Sequence, residues 1–96
     1  MIPENSIDKR YVVIDIETNG LLDDVTKIFC IVCKNLSTKV ITTYKGEECY
    51  TKFKPDPDTI FIGHNVLSYD LLVLSKILKY KHRASQCIDT LLLSQL

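Results

Sequence analysis

The chain has 96 residues, 46% of them hydrophobic and 25% charged, with only three glycines and three prolines. That allows one hydrophobic core and excludes a second catalytic domain, and the composition is that of a folded globule, not of a disordered or fibrous chain. Twelve basic and twelve acidic residues cancel, which excludes a protein that holds nucleic acid by global charge alone, so any such contact must be local.

Residues 1–10 read as a polar, aperiodic arm in front of a domain spanning 11–96. Tyr11-Val12-Val13-Ile14-Asp15-Ile16-Glu17 is almost continuously apolar until its acids, the pattern of a central strand covered on both faces. Asn19-Gly20 ends it with turn chemistry. Ile28 to Lys34 and Thr38 to Tyr44 are β-rich and joined by Asn35-Leu36-Ser37, which predicts a hairpin. Glu47 to Phe53 predicts a short helix, closed by Pro55 and Pro57. Thr59 to His64 reads as a fourth strand. From Tyr69 to Tyr80, Leu71, Leu74 and Leu78 follow helical spacing with Lys76 and Lys79 on the other side, and Ser68 is the expected cap. Cys87-Ile88 makes a short fifth strand, after which Asp89 caps a helix beginning at Thr90. Leu91, Leu92, Leu93 and Leu96 give that helix an apolar face with nothing after it to pack against, so the domain is expected to be C-terminally truncated. The order of elements predicts an α/β fold, a mixed five-stranded sheet with flanking helices.

No apolar run approaches the roughly 18 residues needed to span a membrane, and the first residues lack the basic start and apolar stretch of a secretory signal. A cytoplasmic location without membrane partners is therefore expected. Cys30 and Cys33 have the spacing of a zinc or redox pair, but three residues apart on a strand they leave opposite faces and cannot chelate one ion. With Cys49 and Cys87 isolated, all four cysteines are expected to be buried free thiols.

Asp15 and Glu17, two residues apart on a strand, leave the same face with α-carbons roughly 7 Å apart. Close carboxylates of this kind take up a proton or gather a hard cation such as magnesium or manganese, although a lone Asp-x-Glu also fits a strand running out into solvent. Asp70 falls in the first turn of the helix after the fourth strand, where it also suits the helix dipole. In open sheets the strand ends and the helix starts beyond them form the site crevice, so the three acids are expected to converge. Lys76, Lys79, Lys81, His82 and Arg83 form the only basic cluster, read as a solvated helix end with phosphate binding as the alternative. His64, after Ile62 and Gly63, reads as a packed histidine.

Asp15-Ile16-Glu17-Thr18-Asn19-Gly20-Leu21 resembles the first exonuclease motif, and His64-Asn65-Val66-Leu67-Ser68-Tyr69-Asp70 the second, of the DEDD-type proofreading 3′–5′ exonucleases. The likeness is strongest to the exonuclease domain at the N-terminus of T-odd phage family A DNA polymerases. Cys87-Ile88-Asp89-Thr90-Leu91 is similar to the segment that follows the second motif. The resemblance implies a ribonuclease H-like fold and two-metal hydrolysis of the terminal phosphodiester of DNA. It also implies that Asp15, Glu17 and Asp70 are the catalytic, metal-binding acids for Mg2+ or Mn2+. Thr18, Leu21, Asn65 and Tyr69 would contact the nucleic acid, with Leu21 as the apolar wedge between the last bases and simple packing as its equal alternative. The third exonuclease motif, with its fourth carboxylate, is absent, and Asp89 is assigned to capping, not to metal binding. Full activity would need the missing elements or a partner. The implied partners are a single-stranded DNA 3′ end, a polymerase chain or the rest of the exonuclease domain, and a second copy bound through the exposed apolar edge. An inactive nucleic-acid- or polymerase-binding module and a purely structural domain are the competing readings.

Overall fold

The computed structural model describes residues 8–91. The remainder of the expected arm and the apolar positions Leu92, Leu93 and Leu96 lie outside the described residues. Five strands, β1 (Tyr11–Thr18), β2 (Ile28–Asn35), β3 (Ile41–Lys45), β4 (Ile60–Gly63) and β5 (Cys87–Asp89), form one sheet in the order β3-β2-β1-β4-β5. The first three pair antiparallel, and β4 and β5 add parallel to β1 and to each other. This is the mixed sheet of a ribonuclease H-like fold, with β1 at its centre as its β-branched sequence predicts. Among the described residues α1 (Glu48–Thr51) and α2 (Leu71–Leu78) accompany it, the second entered through a π-helical turn at Val66–Asp70, with a 3-10 turn at Ala84–Gln86 before β5 and a helical start at Thr90 after it.

The register places Ile14 opposite Cys33, Ile16 opposite Ile31 and Val12 beside Phe61, so these side chains share one face. Onto that face pack Cys49 of α1, Val66 of the π turn and Val73 and Leu74 of α2, which with Val25, Ile28 and Phe53 make one core. The sequence pattern of β1 predicts cover on both faces. Among the described residues the second face, with Val13, Val32, Ile62 and Ile88, is half-buried and stands outside that core.

Helix α1 and strand β4 are shorter than the expected 47–53 and 59–64, and three further boundaries differ for reasons that the structure shows. Strand β3 begins at Ile41 instead of Thr38, because the Asn35 carboxamide accepts the N–H groups of Ser37 and Thr38 (2.9 and 3.1 Å) and takes them out of the ladder. Ser68 is not a cap: it is exposed within the π turn, and α2 has no side-chain cap bond. The chain enters instead through Asn65 in the left-handed conformation (φ 63°), whose N–H goes to Asp89. Helix α2 also stops at Leu78, short of Tyr80, because Lys79 turns left-handed (φ 59°) and the Tyr80 N–H reaches back to the Leu74 carbonyl at 3.1 Å.

Candidate functional site

The residues expected to carry chemistry lie on β1 and at the ends of β4 and β5 or just beyond them. Along β1 the core residues Ile14 and Ile16 alternate with exposed Asp15 and Glu17, so both acids leave the face away from the core. Beside Glu17 the ladder slips, Glu17 facing Cys30 but Thr18 facing Ile28, which leaves Phe29 as a bulge. Such bulges add twist at strand ends and re-aim neighbouring side chains. At the end of β4, Gly63 lets the chain close on β1: a β-carbon there would stand 3.1 Å from the Ile14 carbonyl oxygen and 3.1 Å from the Val66 β-carbon.

Asp70 ends the π turn and stands at the N-terminus of α2, only 5% exposed. Burial first, and then the negative charge of Asp15, push its carboxyl up to about 7, with Asp89 adding to the rise and its own backbone N–H opposing it. The ion pairs Arg10–Asp8 and Lys52–Glu48 lie elsewhere, and among the described residues none involves Asp15, Glu17 or Asp70. Carboxylates left unneutralised by side chains suit a hard divalent cation. The expected convergence of Asp15, Glu17 and Asp70 is not met: among the described residues no three acidic, histidine or cysteine side chains stand close enough together to hold a metal ion.

The residues expected to meet nucleic acid fall into two groups. Thr18 and Tyr69 join their hydroxyls, and both lie within reach of the Gly20 carbonyl, at 2.9 and 2.7 Å. These bonds tie the loop after β1 to the π turn. Asn19 braces the same loop by accepting the N–H groups of Thr26 and Lys27 and donating to the Thr26 hydroxyl. Lys76, on α2, donates to the carbonyls of Leu22 (2.8 Å) and Asp23 (3.2 Å). From this braced loop Leu21 projects at 77% exposure, so the packing alternative does not describe it. Asn65 is half-buried at the entry to the π turn.

Two histidines exchange their expected places. His64 is exposed at the end of β4, its Nδ1 3.3 Å from the Thr90 hydroxyl, and is not packed. His82 leaves the solvated basic cluster: its Nε2 donates to the Thr59 carbonyl at 2.7 Å, its Nδ1 meets the Tyr80 hydroxyl at 2.7 Å, and its ring centre is 4.7 Å from that of Phe61. Asp89 caps Leu91 as expected, but its carboxylate also accepts the N–H groups of Asn65 and Leu67. The Asp-Thr-Leu run signals the cap, whereas bonds to residues more than 20 positions away leave no local trace in the sequence.

All four cysteines are free, with Cys49 buried and Cys30, Cys33 and Cys87 half-buried. Burial pushes the Cys33 thiol up to about 12, so it is an inert lining residue. It borders a cleft of about 140 Å³ between Tyr44, Phe53 and Phe61, which none of the site acids line. No helix among the described residues is long and apolar enough to cross a membrane.

No protein-family model matches the sequence. The chain is similar to a DNA-directed DNA polymerase of Escherichia phage T7, with 32% identity over an alignment that takes in 88% of this chain and 14% of the polymerase. It is thus related to a stretch of a phage DNA polymerase and spans only a small part of that protein's length.

Proposed function

We propose that the chain carries the early carboxylates of a metal-dependent 3′–5′ exonuclease of the DNA-proofreading type. The observation that supports this most is the placement of Asp70, a carboxyl only 5% exposed at the N-terminus of α2, where burial and the negative charge of Asp15 both oppose its ionisation. The similarity to a phage DNA polymerase is the second support. In this reading Asp15, Glu17 and Asp70 hold Mg2+ or Mn2+. The bound cation supplies Lewis acidity for attack of water on the terminal phosphodiester. The chain's own contribution is to bury Asp70 within electrostatic reach of Asp15, to leave Glu17 exposed toward the 3′ end, and to present Leu21 on a braced loop as an apolar contact for the last base. Thr18 and Tyr69 hold that loop in register with Asp70, and Asn65 lies along the strand's path.

A binding module without turnover is the second reading, favoured by the absence of a three-ligand cluster among the described residues. Calorimetry with manganese on the 96-residue chain, on Asp15→Ala and on Asp70→Ala, followed by incubation with 3′-labelled single-stranded DNA, separates the two. The exonuclease reading expects manganese binding lost in both variants and release of 3′ nucleotides that stops with them. DNA binding with no release of nucleotides supports the module, and a folded wild type that binds neither metal nor DNA overturns both.

A further inference from the structure

Capping the helix at Thr90 requires one bond, from the Leu91 N–H to Asp89 Oδ1 at 3.0 Å. Asp89 makes two more, accepting the Asn65 N–H at 2.9 Å on the same oxygen and the Leu67 N–H at 3.0 Å on Oδ2. It does so while only 5% exposed, and a carboxylate withdrawn from water is costly unless its bonds compensate. The two additional donors flank Val66, the first residue of the π turn, whose far end is Asp70. That turn is closed by the Leu71 N–H on the Val66 carbonyl, one residue wider than an α-helical bond. Relaxation to the α-helical bond would change the rotation of Asp70 about the helix axis relative to Val66.

We infer that Asp89 is a positioning residue for the carboxylate site: by clamping the start of the π turn to the end of β5, it sets where Asp70 stands relative to Asp15. The Gly63–Val66 contact supports the clamp from the other side, since the missing β-carbon lets Val66 close on the end of β4. The inference rests on the reading of Asp15 and Asp70 as metal ligands.

The test compares manganese affinity in the 96-residue chain, wild type and Asp89→Ser. Serine keeps a hydroxyl for the Leu91 N–H and so preserves the cap, but it is too short to reach Asn65 and Leu67. The expected result is a folded variant whose manganese affinity falls roughly 10–100-fold, the usual effect of removing a partner behind a metal ligand. Faster amide exchange at Asn65 and Leu67, with Ile14 and Phe61 unchanged, should accompany it. If the serine variant does not fold, Asp89→Asn, which keeps one carbonyl oxygen, is expected to give an intermediate loss. A folded variant that binds manganese as tightly as the wild type overturns the inference, and so does failure of both variants to fold, because the clamp then serves the whole fold. A wild type without Asp15-dependent manganese binding overturns the metal-site reading itself, and the inference falls with it.

Discussion

Asp70 is buried beside a second carboxylate, so ionising it costs more in the folded chain than in the unfolded one. Its carboxyl titrates near 7 when folded against an ordinary 3.8. Between those values the folded state binds the extra proton, and stability therefore falls as pH rises from about 4 to about 7 and then levels off. The displacement of roughly three units sets a ceiling of about 4 kcal/mol on this loss. Metal-free thermal melts from pH 4 to pH 8 should show a declining Tm in the wild type, and Asp70→Asn should flatten the decline and melt higher at pH 8. In Asp15→Asn the decline should shift to lower pH without vanishing, because burial is the larger cause. An equal slope in Asp70→Asn would show that another group carries the pH dependence.

At the scale of elements, the join between β4 and α2 decides where Asp70 stands, and Gly63 sits at its tightest point. An added β-carbon would meet a backbone carbonyl of the central strand and the branched Val66 at 3.1 Å each, and neither yields easily inside a packed core. Gly63→Ala is expected to cost about 1–3 kcal/mol in urea denaturation, the usual cost of overpacking. A loss within about 0.5 kcal/mol, the range of an ordinary surface change, would mean that the join is looser than it stands. The same join marks where the sequence stops being legible. The strands follow from their β-branched runs, and Asp15, Glu17 and Asp70 are visible as acids at strand and helix ends. The entry to α2 is hidden because Asn65 and the π turn are held by Asp89, a partner far along the chain. Ser68 has the right residue type for a cap but lies one turn too late. His64 and His82 differ for a related reason: local apolar neighbours suggest that His64 is packed, yet the packing of His82 depends on Thr59 and Phe61, brought in by the sheet.

Across the whole molecule, the two faces of the sheet carry apolar residues of similar type but different standing. Ile14 on β1 is buried in the core with Phe61, Val66 and Leu74, whereas its neighbour Val13, one residue away, lies on the half-buried face with Val32, Ile62 and Ile88. The physical consequence is an asymmetry in mutational cost that a sequence reading of β1, apolar throughout, does not contain. Removing buried methylenes from Ile14 loses both transfer free energy and packing around the cavity left behind, so Ile14→Ala should cost about 2–5 kcal/mol. Val13→Thr keeps the β-branched shape that suits a strand and puts a hydroxyl where water can reach it, so it should cost less than about 1 kcal/mol. Urea denaturation of both variants at the same protein concentration measures the difference directly. Equal and large costs would show that the second face is covered in solution, and the concentration dependence of the midpoint would then tell whether a second copy of the chain supplies the cover.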